Sequence, residues 1–164
     1  MLCHRQILVA AGAAVRDSTA VLNECVASFG CGLSVHVGAY PDGIPGAHDA
    51  PFLWLFADAD IDSSETNSDS VFTIHGIVGA CVVDASGEKR ICDVVTPRTA
   101  SANGLAVNGG NAAVEALRDK CLCAIREAKC GAIVSTTRRR ENDVSHYPLE
   151  WAALEVDFLE PESL

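Results

Sequence analysis

Three groups of residues in this chain have the types and spacing to do chemistry. The first is an acidic ladder, Asp58, Asp60 and Asp62, followed by Glu65 and Asp69. On a strand, alternate residues share one face and stand about 6 to 7 Å apart. That spacing is too wide for one divalent cation to be shared without a second segment, so the ladder reads as a charged surface and no metal site is expected. The second group is the thiols and imidazoles, eight cysteines and five histidines. A zinc finger needs two close Cys/His pairs such as C-x2-C. The nearest thing to one is Cys121-x-Cys123, and in a helical pattern residues two apart point to different faces. Nothing singles out a Cys-His nucleophile pair, and His75, in the middle of a strand pattern, reads as a structural histidine. The third group is the basic triplet Arg138, Arg139 and Arg140.

Motifs that would organise such groups into catalysis are missing: there is no G-x-S-x-G, no Walker A and no H-E-x-x-H. Gly109-Gly110-Asn111 at a helix start could hold an anion, but glycines there also serve as ordinary turn chemistry. The expectation is a protein with no catalytic residues and no cofactor, hence not an enzyme.

Charge narrows the partners. The formal net charge of −10 opposes general nucleic-acid binding, which draws its affinity from Lys and Arg neutralising phosphates. The charge is also uneven. From Asp17 through Glu88 there are eleven Asp or Glu and no Lys or Arg, whereas the rest of the chain sets the other eleven carboxylates against all twelve cations. Two surfaces with different electrostatic roles are one reading of this, a solvated acidic face the other. With 49% apolar residues over 164 positions, the chain can bury the core of one domain. No apolar run approaches the ~18 residues of a membrane span, and Met1 to Arg16 lacks a cleavage pattern. The expectation is therefore a soluble, cytosolic protein with no membrane partner and free, buried thiols.

These groups must be positioned by a small set of elements. Apolar residues at Ile7, Ala11, Ala14, Val15, Leu22, Val26 and Phe29 recur at a helical period that closes at Gly30, with an interruption near Asp17 and Ser18. Residues 33–37 alternate as a short strand, and residues 40–51, rich in Pro and Gly, form a loop. Residues 52–62 and 71–84 read as two long strands of an antiparallel hairpin, and residues 91–95 could add a short strand. The small-residue stretch 96–110 has no period and suggests a mobile loop within an insertion spanning 84–110. A second helix is predicted over 111–129, with Val114, Leu117, Cys121, Ala124, Ile125 and Ala128 inward and Arg118, Lys120, Arg126 and Lys129 complementing its dipole. Strands at 133–137 and 149–159 follow. Helices and strands in this order predict an α+β domain, a mixed or antiparallel sheet with two helices packed on one face.

With its elements placed, the chain resembles the lambda-type tail-terminator proteins of long-tailed bacteriophages. The resemblance is carried by Tyr40-Pro-Asp-Gly and Asp49-Ala-Pro-Phe-Leu-Trp-Leu-Phe, by the acidic turn Asp62 to Asp69 leading into Val71-Phe-Thr-Ile-His-Gly-Ile-Val-Gly, and by Arg138-Arg-Arg-Glu-Asn-Asp before the last strand. It implies a virion protein, assembled in the host cytoplasm as a hexameric ring. Such a ring caps the tail tube, stops its polymerisation and joins it to the head. The implied partners are further copies of itself, the tail-tube protein and the head-tail connector, with genome DNA passing through unbound. A lumen lined by Asp58, Asp60, Asp62, Glu65 and Asp69 would avoid phosphate contacts, and Arg138 to Arg140 would serve subunit contacts. Alternatives are a head-completion or tail-tube subunit of the same fold, or a small metal- or thiol-dependent enzyme.

Overall fold

A computed structural model of the chain describes residues 4–39, 43, 45–46, 49–57, 71–81, 99–102, 105–140 and 149–159. The chain begins with helix α1 (His4–Arg16), which buries Ile7, Leu8, Ala11 and Val15 along one stripe. It stops where Ser18 takes up an extended conformation and restarts at once as α2 (Thr19–Phe29). Ser18 is the N-cap: its hydroxyl accepts from the Val21 N–H at 3.4 Å, satisfying one of the orphan donors of a helix start. Gly30 ends α2 with a left-handed φ of 76°, its N–H donating to the Val26 carbonyl at 2.9 Å. The break shifts the helical phase. The residues of α2 that point inward are Val21, Cys25 and Phe29, whereas Leu22 and Val26 are 48% and 46% exposed. The interruption expected near Asp17 and Ser18 is present, but carrying one apolar stripe across it misplaces Leu22 and Val26, because the two residues between the helices reset the 100° step between successive side chains.

Five strands form the main sheet in the order β1-β2-β3-β7-β6. They are β1 (Ser34–Val37), β2 (Phe52–Ala57), β3 (Val71–Cys81), β6 (Ile133–Arg140) and β7 (Leu149–Leu159). β1 runs parallel to β2, and every other pair is antiparallel, including the expected pairing of β2 with β3. β3 and β7 pair along their whole length, from Val71 opposite Leu159 to Cys81 opposite Leu149. Helix α3 (Gly109–Glu127) separates β6 from a small antiparallel hairpin, β4 (Thr99–Ala102) with β5 (Leu105–Asn108). Part of the stretch read as an aperiodic loop is thus paired strand.

The architecture is α+β, with helices on one face of a mixed sheet. There are three helices among the described residues rather than two, since the first is split. α1 packs on β1 and β2, α3 on β7 and β3, and α2 on α3. Alternation makes the inner face. Leu53, Leu55 and Ala57 of β2, Phe72, Ile74 and Val78 of β3, and Ala152, Leu154, Val156 and Phe158 of β7 all join the helices in one core. In the middle of this face Gly76 lies between Leu55 and Leu154, and a Cβ there would stand 2.8 Å from Leu154 Cδ1. His4 closes one end of the core by stacking on Phe72 at 4.2 Å.

α3 departs from the sequence reading in three details. Its inward stripe includes Leu122 and excludes Ala128, which is exposed. It ends at Glu127, short of the predicted limit at 129, and Lys129 beyond it is left-handed at φ 49°. Arg118, expected on the solvent side near the helix dipole, is only 6% exposed. It follows Val114 by four residues and precedes Cys121 by three, so helical geometry places it on the apolar stripe.

Candidate functional site

Among the described residues no helix covers the second face of the sheet. The same alternation that sends Leu53 and Leu55 inward puts Phe52, Trp54 and Phe56 of β2 on this face. Trp54 and Phe56 lie beside Ile77 and His75 of β3, and beyond β3 the row continues on β7 with Trp151, Glu155 and Asp157. The face is divided along the strands. At one end Phe52, Leu149 and Ala50 form a small buried cluster with Trp54, Ile77 and Trp151 half-buried around it. Phe52 meets the Trp151 ring edge-on at 6.3 Å and packs the far end of its ring against Gly79, where a Cβ would come within 2.4 Å of Phe52 Cζ. Trp54 anchors its indole N–H on the Gly38 carbonyl at 2.7 Å and tilts against Phe56 at 4.5 Å.

The other end is polar. His75 stacks on Phe56 at 5.4 Å and places Nδ1 3.4 Å from Glu155 Oε1. Asp157 takes hydroxyl donors from both neighbouring strands, Thr73 Oγ1 at 2.8 Å and Ser135 Oγ. Both hydroxyls are therefore committed as donors to a carboxylate. The aromatic end supplies contact area, the polar end directional hydrogen bonds. Such a face can make both kinds of contact.

Beside this face runs the sheet edge. β6 is paired only with β7, so its outer backbone edge ends the sheet among the described residues. Arg138 donates from Nε to Asp119 Oδ1 on α3 at 2.9 Å, and Arg118 Nε donates to the same oxygen at 3.1 Å. Toward the start of β6, the strand and the last turn of α3 bound a groove of about 470 Å³, lined by Arg126, Lys129, Gly131 and residues 133–136. Val134 in that groove is 54% exposed.

The predicted site residues fall into two sets. Arg138, Arg139 and Arg140 are the last residues of β6, with Arg139 opposite Ala153 and Arg140 opposite Ala152. Asp58, Asp60, Asp62, Glu65 and Asp69 lie outside the described residues, as do the expected strand at 91–95 and most of the 84–110 segment. The sequence reading missed the role of Asp119. Its position beside Arg118 on α3 carries no signal of the strand that comes to meet it. The buried thiols make poor nucleophiles: burial pushes Cys25 up to about 12, and burial likewise pushes Cys121 and Cys130 up. Among the described residues no group of three or more His, Cys, Asp or Glu is placed to hold a metal ion. None of their helices is long and apolar enough to cross a membrane. Comparison with protein-family models and with curated proteins gives no match.

Proposed function

We propose that this protein is a structural subunit of a long-tailed phage particle, a tail terminator that assembles into a ring on the end of the tail tube. The observation that carries the reading is the one-sided sheet. Its helices seal one face, while the other presents Trp54, Phe56, Ile77 and Trp151 beside the hydrogen-bonding row of His75, Glu155 and Asp157. Such a division suits a subunit whose work is contact rather than turnover: a covered face for its own stability and an aromatic and polar face for neighbours. The element order, with the β2 and β3 pair before α3 and the β6 and β7 pair after it, agrees with the resemblance noted in the sequence. The charge of −10 suits a channel through which DNA passes without adhering.

In this reading the subunit contacts copies of itself, the tube protein and the head connector, and holds no cofactor. The test is tube growth. Purified protein added to its polymerising tail-tube partner should stop elongation and leave a terminal ring visible by electron microscopy. Tubes that lengthen at the same rate and bear no added density would overturn it.

A further inference from the structure

We propose that the groove between α3 and the β6 edge receives an acidic, extended segment from a second copy of this chain, laid along β6 as an additional strand. The inference deepens the ring-subunit reading, on which it rests for its second copy, by naming one surface of the contact. Two features converge on the groove. It is bounded by the outer edge of a terminal strand, where backbone groups can pair with an incoming strand. It also carries Arg126 and Lys129, both exposed, next to the half-exposed apolar side chain of Val134.

The partner follows from charge. Two copies at −10 each repel, so close approach is favoured where one of the few cationic surfaces meets an acidic one. The chain supplies the complement in residues 17–88, which hold eleven carboxylates and no cation. The end of α3 contributes partial negative charge to the groove, and two full cations at that helix end outweigh it. A groove on one surface and an acidic stretch elsewhere make a head-to-tail contact, the kind that closes rings.

The experiment uses the full chain and a fluorescent peptide with the sequence of residues 58–70, which bears five carboxylates. Binding is read by anisotropy and self-association by sedimentation velocity. The wild type should bind this peptide and self-associate. The double variant Arg126→Glu, Lys129→Glu, checked by circular dichroism to be folded, should lose at least about tenfold in both. A peptide with Asn and Gln in place of Asp and Glu should bind at least about tenfold more weakly. Equal binding of the neutral peptide, or binding unaffected by the double variant, overturns the proposal. So does full competition by inorganic phosphate without any change in sedimentation, which would reveal a simple anion site. Peptide binding by a chain that stays monomeric at all concentrations would assign the groove to a different acidic partner and overturn the second-copy assignment. Tube capping separates the two readings. A variant that fails to bind peptide but still caps tubes sinks the groove alone, whereas a groove that behaves as expected on a chain that never caps sinks the terminator reading.

Discussion

Arg138 on the edge strand and Arg118 on α3 donate through Nε to the same oxygen, Oδ1 of Asp119, at 2.9 and 3.1 Å. One carboxylate thus ties a nearly buried guanidinium to a half-exposed one and fastens β6 to the helix layer. The two arginines differ in what they lose without it. Asp119→Ala deprives Arg118, 6% exposed, of this carboxylate and should cost about 1 to 3 kcal/mol. Arg138→Ala removes only a solvent-screened partner and should cost about 0 to 1 kcal/mol. Urea unfolding of the two variants checks the ranking. Equal losses would mean that Asp119 serves Arg138 alone.

The thiols give a second prediction. Burial holds the Cys25 thiol protonated in the folded state, up to about 12 against an ordinary value of 9.0, and Cys121 is shifted the same way. Unfolding frees both to ionise, so above pH 9.0 the unfolded state releases protons that the folded state retains. The stability these thiols contribute should be fully present below that pH and decline as pH rises toward about 12. Urea midpoints at about pH 8 and about pH 10 should show the fall, and Cys25→Ala should make it shallower. In the native protein iodoacetamide should modify the exposed Cys123 well ahead of Cys25, Cys121 and Cys130, as peptide mass mapping would show.

A third prediction concerns Gly79. Phe52 is fully buried with the far end of its ring against that glycine, so a methyl group at position 79 must displace an aromatic side chain that is also held edge-on by Trp151. Gly79→Ala should destabilise by about 1 to 3 kcal/mol and alter tryptophan fluorescence, since Trp151 shares the cluster. A stable variant with unchanged emission would show that the ring can slide aside.

How far the sequence reveals this fold depends on whether each signal is local. β7 is read with its observed bounds, because Leu154, Val156 and Phe158 alternate with Glu155 and Asp157 within one strand. The break at Ser18 is visible as a hydroxyl residue at a helix start, yet its consequence for Leu22 and Val26 requires knowing that the phase resets there. β4 and β5 escape notice because Thr99 to Ala102 and Leu105 to Asn108 are short and hold mostly small residues. The Asn103-Gly104 dipeptide between them is a hairpin signal in the sequence. Non-local facts were out of reach. Nothing in Ser34 to Val37 says that it lies parallel to β2, and nothing in Asp119 says that β6 will supply Arg138. The candidate site was half legible: the aromatic run Phe52, Trp54 and Phe56 stands out in the sequence, but its meeting with His75, Trp151 and Glu155 is a product of strand order.

The basic triplet divides in the structure, and the division yields the last prediction. Arg138 is bound to Asp119 within its own chain, so replacing all three arginines confounds stability with association. Arg139 and Arg140 finish β6 opposite Ala153 and Ala152, at the terminal strand of the sheet. The double variant Arg139→Ser, Arg140→Ser leaves the Arg138–Asp119 pair in place, so a change in association is read apart from the loss of that pair. If these residues meet an acidic surface of a neighbouring copy, self-association should weaken, and the deficit should be largest at low salt, where screening is least. Sedimentation velocity across a salt series reads both effects. A double variant that associates like the wild type at every ionic strength would leave Arg139 and Arg140 without a part in assembly.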